Sequence, residues 1–328
     1  MREEQIALSK EQIQKLLPWF GYGPMRKSNI VFFGNEEGLG GLPIQAVPAR
    51  CYVYGNDSNT WINSNNWHDG YWDETENEGQ EKLRKKTIQI RSDDGLPTLV
   101  EQKTEHFPII DFQSRVLLHL EQPFQDWFQK LSWYQTYDKQ VLQKIKVKQK
   151  SLYNDQSLIK AALVDWRPLP RPTEACWPYI GIDQKQYEDA FSLKRRYYNT
   201  AKAYLEGRIY EYQLDLETRM LVDRVQLLRK VFTSFDFPLL IGCGAPLQKK
   251  KLLELIFKDH NISFQENQLS NGKKYYLSEV ELENKKLTIL LTVFFNHRKN
   301  CLQLNGLEEL TKKVIQPIIE QNKSIKLS

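Results

Sequence analysis

The sequence predicts an α/β fold, a three-layer α/β/α arrangement with a mainly parallel central sheet. Three observations carry this expectation. Short apolar, β-type runs recur at residues 31–33, 158–164, 237–241 and 287–295. Each runs into an irregular stretch of Gly, Pro or Asn. Amphipathic helical segments intervene, and strands alternating with helices favour parallel pairing with helices on both faces. No internal repeat is visible, and residues 1–328 read as a single domain.

In chain order, Ser9-Lys10-Glu11-Gln12 is a capping box. It opens a short helix with Ile13, Leu16 and Leu17 on one face, ended by Gly21-Tyr22-Gly23-Pro24. Val31, Phe32 and Phe33 then form a buried strand. It enters a turn, Gly34-Asn35-Glu36-Glu37-Gly38, with Gly40 and Gly41 close behind. Residues 55–97 are polar and carry Trp61, Trp67 and Trp72, which reads as an inserted loop region or as a solvated excursion. Residues 111–148 are helical in pattern. The strand at 158–164 ends in Asp165-Trp166-Arg167-Pro168-Leu169-Pro170-Arg171-Pro172, a stretch suited to neither helix interior nor central strand. Two helices follow, a basic Tyr-rich one at 187–204 and an amphipathic one at 220–232. The strand at 237–241 runs into Gly242-Cys243-Gly244, with a helix behind it at 247–257. Asn271-Gly272 is a hairpin turn. The most apolar strand, 287–295, runs into Asn296-His297-Arg298-Lys299-Asn300, and Asn305 caps a last helix at 307–319.

Composition narrows the function classes. Forty-six Lys and Arg against 41 Asp and Glu leave a net charge of +5, which demands no nucleic acid but permits a local basic face. Cys51, Cys176, Cys243 and Cys301 are far apart, so no metal-binding spacing appears and the thiols suit a reducing cytoplasm. The N-terminus lacks an apolar signal-like region, and no apolar run approaches the roughly 20 residues of a membrane span. The expectation is a soluble, cytoplasmic monomer with no membrane partner, no metal and no cofactor.

The chemistry centres on Glu36 and Glu37. In open α/β sheets ligands bind beyond the carboxyl ends of strands, and glycines there permit close backbone approach. Adjacent acids at such a place are a candidate reaction centre, the bland alternative being two exposed turn acids. His297 is delivered to the same sheet edge by the last apolar strand.

These stretches together resemble the uracil-DNA glycosylase superfamily. Gly34-Asn35-Glu36-Glu37-Gly38 is similar to its strand-then-acidic-turn motif. Asp165 occupies the place of a base-reading residue that is usually Asn. Ile241-Gly242-Cys243-Gly244-Ala245 is similar to a third strand end, and Thr292-Val293-Phe294-Phe295-Asn296-His297-Arg298 to its His-containing DNA loop. The match spans residues 29–319 through short motifs. The chain lacks the proline after the acid position, the His-Pro of the last loop and the iron–sulfur cysteines. The resemblance therefore implies a divergent member, a monofunctional glycosylase acting on DNA that carries a damaged or modified base.

It also implies roles. Glu36, or Glu37 beside it, would stabilise the sugar cation and orient a water, and His297 would donate to the leaving base. Asn35, Asp165 and Tyr52 would bind the base, with Tyr54 and Phe33 as rival stacking partners. A carboxylate only accepts hydrogen bonds, so Asp165 favours the N4 amine of a cytosine over O4 of uracil, unless it pairs with Arg167 or Arg171. A hypermodified phage cytosine, removed in antiphage defence, is the expected substrate. Arg171, Arg298 and Lys299 would hold phosphates, as would Arg195 and Arg196 unless they are a solvated helix face. Leu302 would fill the gap left by the flipped base, or else pack under the last helix. No lysine stands in the motifs as a Schiff-base nucleophile, so water chemistry is expected. The alternatives are a non-catalytic DNA-binding module and a hydrolase of free nucleotides or nucleosides.

Overall fold

A computed structural model describes residues 6–39, 42–53, 78–96, 108–130, 136–153, 157–171, 176–283 and 285–326. The first helix, α1 (Lys10–Leu16), carries the expected capping box, with Ser9 and Gln12 bonded reciprocally. Gly21–Tyr22 forms a short strand, β1, and Ile30–Gly38 forms β2. Helices α2 (Ala46–Val53), α3 (Glu78–Asp93), α4 (Pro108–Glu121) and α5 (Thr136–Lys150) precede β3 (Ala161–Arg171). Then come α6 (Gln184–Phe191), α7 (Arg195–Leu205), α8 (Leu216–Ser234), β4 (Leu239–Cys243) and α9 (Pro246–Ile256). The hairpin strands β5 (Gln265–Gln268) and β6 (Lys274–Leu282) are joined through Gly272 at φ +79°, followed by β7 (Lys285–Thr292). The C-terminal helix runs from α10 (Gln303–Leu310) through a π turn (Thr311–Ile315) into α11 (Gln316–Lys326).

The fold is mixed α/β. Among the described residues the strands form one sheet in the order β1-β3-β2-β4-β7-β6-β5. The centre, β3-β2-β4-β7, is parallel, and the outer pairings β1–β3, β7–β6 and β6–β5 are antiparallel. The central strands are buried on both faces, as helix-covered parallel strands must be. Phe232 of α8 meets Phe33 edge-on, and Lys249 of α9 lies over the same ring, so α8 and α9 cover one face. Helices α4, α5 and α10 pack together, and Tyr153 beyond α5 is joined to Gln113 of α4. The arrangement is compatible with three α/β/α layers.

Several expectations about elements are corrected. The segment 34–38 is not a turn: β2 continues through it, held by pairing to β3. The Pro-rich stretch through Arg171 is strand too. Gly34 faces Asp165 and Glu36 faces Arg167, but Gly38 faces Arg171, so β3 bulges where Pro168 and Pro170 lie. The bulge accommodates prolines that a regular ladder would reject. Residues 78–93 of the supposed loop region form α3, and residues 54–77 lie outside the described residues. The single helical pattern at 111–148 is two helices. The one at 187–204 breaks at Leu193, φ 54°. Leu302, not Asn305, stands at the head of the last helix.

Candidate active site

The parallel strands are laid down with β3 on one side of β2, then β4 and β7 on the other. The order in which strands are added reverses between β2 and β4, and the crevice beyond their carboxyl ends is the topological switch point where open α/β sheets bind ligands. Gly34 faces Asp165, Cys243 faces Thr292, and one residue earlier Phe33 faces Gly242. Asp165, Gly34, Cys243 and Thr292 therefore form the last row on one face of the sheet. The row before it is Leu163, Phe32, Ile241 and Leu290, all large and apolar. The change to small and polar residues marks the edge chemically. Gly34 is required in this row, because a Cβ there would stand 2.2 Å from Asp165 Oδ1.

Beyond this row Glu36 is clamped. Arg171 donates to it in a fork, Nε to Oε1 at 2.8 Å and Nη2 to Oε2 at 2.9 Å, and Arg167 Nη1 reaches Oε2 at 3.3 Å. Arg171 also donates to Glu188 at 3.0 Å, and the residue is 3 % exposed. Burial works against its charge, but bonding to Glu36 and Glu188 outweighs that and raises its pKa. Glu36 is thus an oriented anion with three of about four acceptor positions filled. Arg167 Nε finds no hydrogen-bond partner among the described residues, so a donor remains beside this carboxylate.

On the opposite face Lys249 fills the switch point. Its Nζ donates to Asn35 Oδ1 and to the carbonyls of Cys243 at 3.0 Å and Gly244 at 3.1 Å. One ammonium therefore ties the ends of β2 and β4 together. Its stem crosses Gly242, where a Cβ would stand 3.0 Å from Lys249 Cδ. Burial pushes its pKa down to about 7. With Oδ1 held by Lys249, the Asn35 side chain is left to present its amide donors. A second buried cation, Arg224, donates to the carbonyls of Trp166 at 2.9 Å, Leu17 at 3.3 Å, Trp19 and Asp165. Burial lowers its pKa to about 10. It seats β3 where the sheet ends.

Sequence reading missed Lys249, Arg167 as a partner of Glu36, and Arg224. The signal for Lys249 was its place one turn into the helix that follows a Gly-rich strand end. A charged residue on an amphipathic helix reads as surface unless the sheet beneath it is known.

The expected residues fare differently. Asn35, Glu36 and Asp165 meet at one edge. The backbone of Glu37 follows Glu36 in β2, and its side chain lies outside the described residues. His297 is exposed in the loop after β7, its ring edge-on to Phe112 with centroids 4.9 Å apart. Arg298 and Lys299 beside it are exposed. Three expectations are corrected. Tyr52 is not at the sheet edge as a base platform: it sits on α2, 61 % exposed, beneath the Lys86 ammonium. Arg171 is not available to phosphates, because it is buried against Glu36 and Glu188. Leu302 is not a wedge, because it is fully buried in the core. Tyr54 lies outside the described residues, and Phe33 packs in the core. Arg196 is paired with Asp215 at 2.6 Å.

An open groove lined by Leu118, Glu121, Lys144, Val147, Lys148 and Leu158 lies elsewhere. Leu158 precedes β3, so the groove belongs to the amino ends of the strands. Its Glu121 and Lys148 are bonded to each other at 2.7 Å. Among the described residues no group of three or more His, Cys, Asp or Glu could hold a metal ion, and no helix is long and apolar enough to cross a membrane. No protein-family model, no curated protein and no solved structure matches the chain.

Proposed function

We propose that the chain is a DNA glycosylase that hydrolyses the N-glycosidic bond of a modified base, on a uracil-DNA glycosylase-like fold. The observation that carries this reading is the meeting of Asn35, Glu36 and Asp165 at the switch point of the parallel strands. It supplies the parts the reaction needs. Cleavage builds positive charge on the sugar and negative charge on the departing base. Glu36, clamped in place by Arg171 and Arg167, offers an oriented carboxylate to the sugar. Its remaining acceptor position suits a water aimed at C1′. The clamp favours an electrostatic and orienting role over proton shuttling. Arg167 Nε, left beside Glu36, is a donor suited to an anionic leaving base, a task expected of His297 alone from the sequence. Asp165 stands as acceptor for an exocyclic amine. DNA would be held by Arg298 and Lys299 on the exposed loop.

The test is incubation of the purified chain with duplexes carrying single modified bases, including hypermodified phage cytosines, followed by alkali cleavage. Strand breaks at one class of modified base are expected, reduced about 100-fold or more by Glu36→Gln. Absence of abasic sites on every substrate, hypermodified phage DNA included, would sink the proposal.

A further inference from the structure

The buried lysine at the switch point takes no part in the chemistry proposed for Glu36, yet its surroundings are built for it. Lys249 is 1 % exposed. An ammonium carries three donors and no acceptor. All three are used here, on Asn35 Oδ1, the Cys243 carbonyl at 3.0 Å and the Gly244 carbonyl at 3.1 Å. Gly244 (φ 79°) and Ala245 (φ 47°) are consecutive left-handed residues between β4 and α9, and for Ala245 that conformation is strained. The turn they make brings two carbonyls onto one amine. The consequence falls on Asn35, which is half-buried. A flipped amide would set N–H donors against the ammonium, so Lys249 fixes the polarity of this side chain. Oδ1 is held, and Nδ2, which has no partner among the described residues, is left on the side away from the lysine. A cation behind the amide oxygen also polarises the amide and strengthens its N–H groups as donors.

We propose that Lys249 is a positioning residue that holds Asn35 as a specificity-determining donor to O2 of a pyrimidine base. This rests on the reading of the sheet edge as the site of a flipped nucleotide, with Glu36 at the sugar. Asn35 directly precedes Glu36 in β2, and successive strand residues point to opposite faces. The base is therefore met from the side away from Glu36. O2 is the pyrimidine acceptor beside the glycosidic bond, hence the one nearest a residue adjacent to Glu36. It gains negative charge as the base departs, and a donor backed by a buried cation suits that charge. Cytosine-type and uracil-type bases both carry O2, so this pair selects pyrimidines and leaves the choice between them to other groups.

Equilibrium binding separates this inference from the hydrolysis. The probes are duplexes with a single 5-hydroxymethylcytosine or a single uracil, each with O2 or with sulfur, a poorer acceptor, in its place. The sugar of that nucleotide carries a 2′-fluorine, which destabilises the sugar cation and blocks cleavage. Titrations are run at pH 6, below the Lys249 pKa of about 7, so that the ammonium keeps its three donors. The variants are Asn35→Asp, which still pairs with Lys249 but presents an acceptor, Asn35→Ala, Lys249→Met, and Asn35→Ala with Lys249→Met, each checked for folding by circular dichroism. The wild type is expected to bind the O2 form of at least one base about 10-fold more tightly than its 2-thio form. Asn35→Asp and Asn35→Ala are expected to abolish that preference, and Lys249→Met to reduce it. In the Asn35→Ala background Lys249→Met is expected to change the preference no further, which separates positioning from a general loosening of the site. If Lys249→Met does not fold, Asn35→Asp decides, because only an amide held with its donors outward loses the preference to this isosteric change. Equal affinity of the wild type for the O2 and 2-thio forms of both bases would overturn the inference. So would a preference intact in Asn35→Asp or in folded Lys249→Met, or a Lys249→Met loss that persists in the Asn35→Ala background. Abasic sites formed on unfluorinated DNA without this dependence leave the glycosylase reading standing. The dependence without abasic sites on any substrate removes that reading and keeps the base-reading pair.

Discussion

Glu36 shows how one side chain can be a stability element and a reaction group together. Its carboxylate neutralises Arg171, whose side chain is 2 % exposed, so truncation strands a buried guanidinium. Glu36→Ala is expected to cost about 3–5 kcal/mol in urea unfolding, well beyond Glu36→Gln, which keeps two polar atoms in place. Equal losses would mean that the ion pair is not what holds the end of β3. Lys249 makes a second residue-scale statement, this time in pH. Its folded pKa of about 7 lies below the ordinary 10.5. Between those values the unfolded chain binds the proton more readily than the folded chain, so stability rises with pH across that window. The wild type should therefore gain urea resistance over Lys249→Met as pH goes from 7 to 9. A constant difference between the two would place the lysine in water rather than beneath the sheet edge.

At the scale of elements, the critical feature is how far β2 and β3 run together. Their pairing past Gly34 converts an acidic, glycine-containing segment into strand and brings Glu36 opposite Arg167. Position 34 is a tight point of this pairing, since a Cβ there meets Asp165. Gly34→Ala should cost about 1–3 kcal/mol by urea denaturation, because Asp165 or the strand must move. An unchanged midpoint would show that Asp165 is seated elsewhere. Elements with local signals were legible in the sequence. The Ser9 capping box, the Asn271-Gly272 hairpin and the apolar runs of β4 and β7 all depend on residues near one another in the chain. The extents of β2 and β3 were not legible. Gly, Asn, Glu and Pro have turn-like local preferences, and only a partner strand made those residues extended.

At the scale of the molecule, the proposed DNA contact lies on the loop after β7, while the buried arginines are occupied by the protein itself. Binding to duplex DNA should weaken with salt, with log K falling about 0.9 for each phosphate contact per decade of salt. Arg298→Ala and Lys299→Ala should each reduce that slope by about one unit. A slope unaffected by either would move the DNA surface away from this loop.

The sequence by itself determined the α/β class, the order of the main strands along the chain though not across the sheet, and the placing of Asn35, Glu36 and Asp165 at one sheet edge. These follow from hydrophobic period and from the rule that parallel strands share their carboxyl ends. Only the tertiary structure decided the partners. Arg171, expected on phosphates, closes on Glu36. Leu302, expected in the duplex, is core. Tyr52 faces Lys86 on a helix. Lys249, silent in the sequence, stands at the ends of β2 and β4. Charge and polarity in a sequence give residue type alone. Whether an arginine meets a phosphate or a buried carboxylate depends on which strands are neighbours, and that is set by packing between segments more than a hundred residues apart.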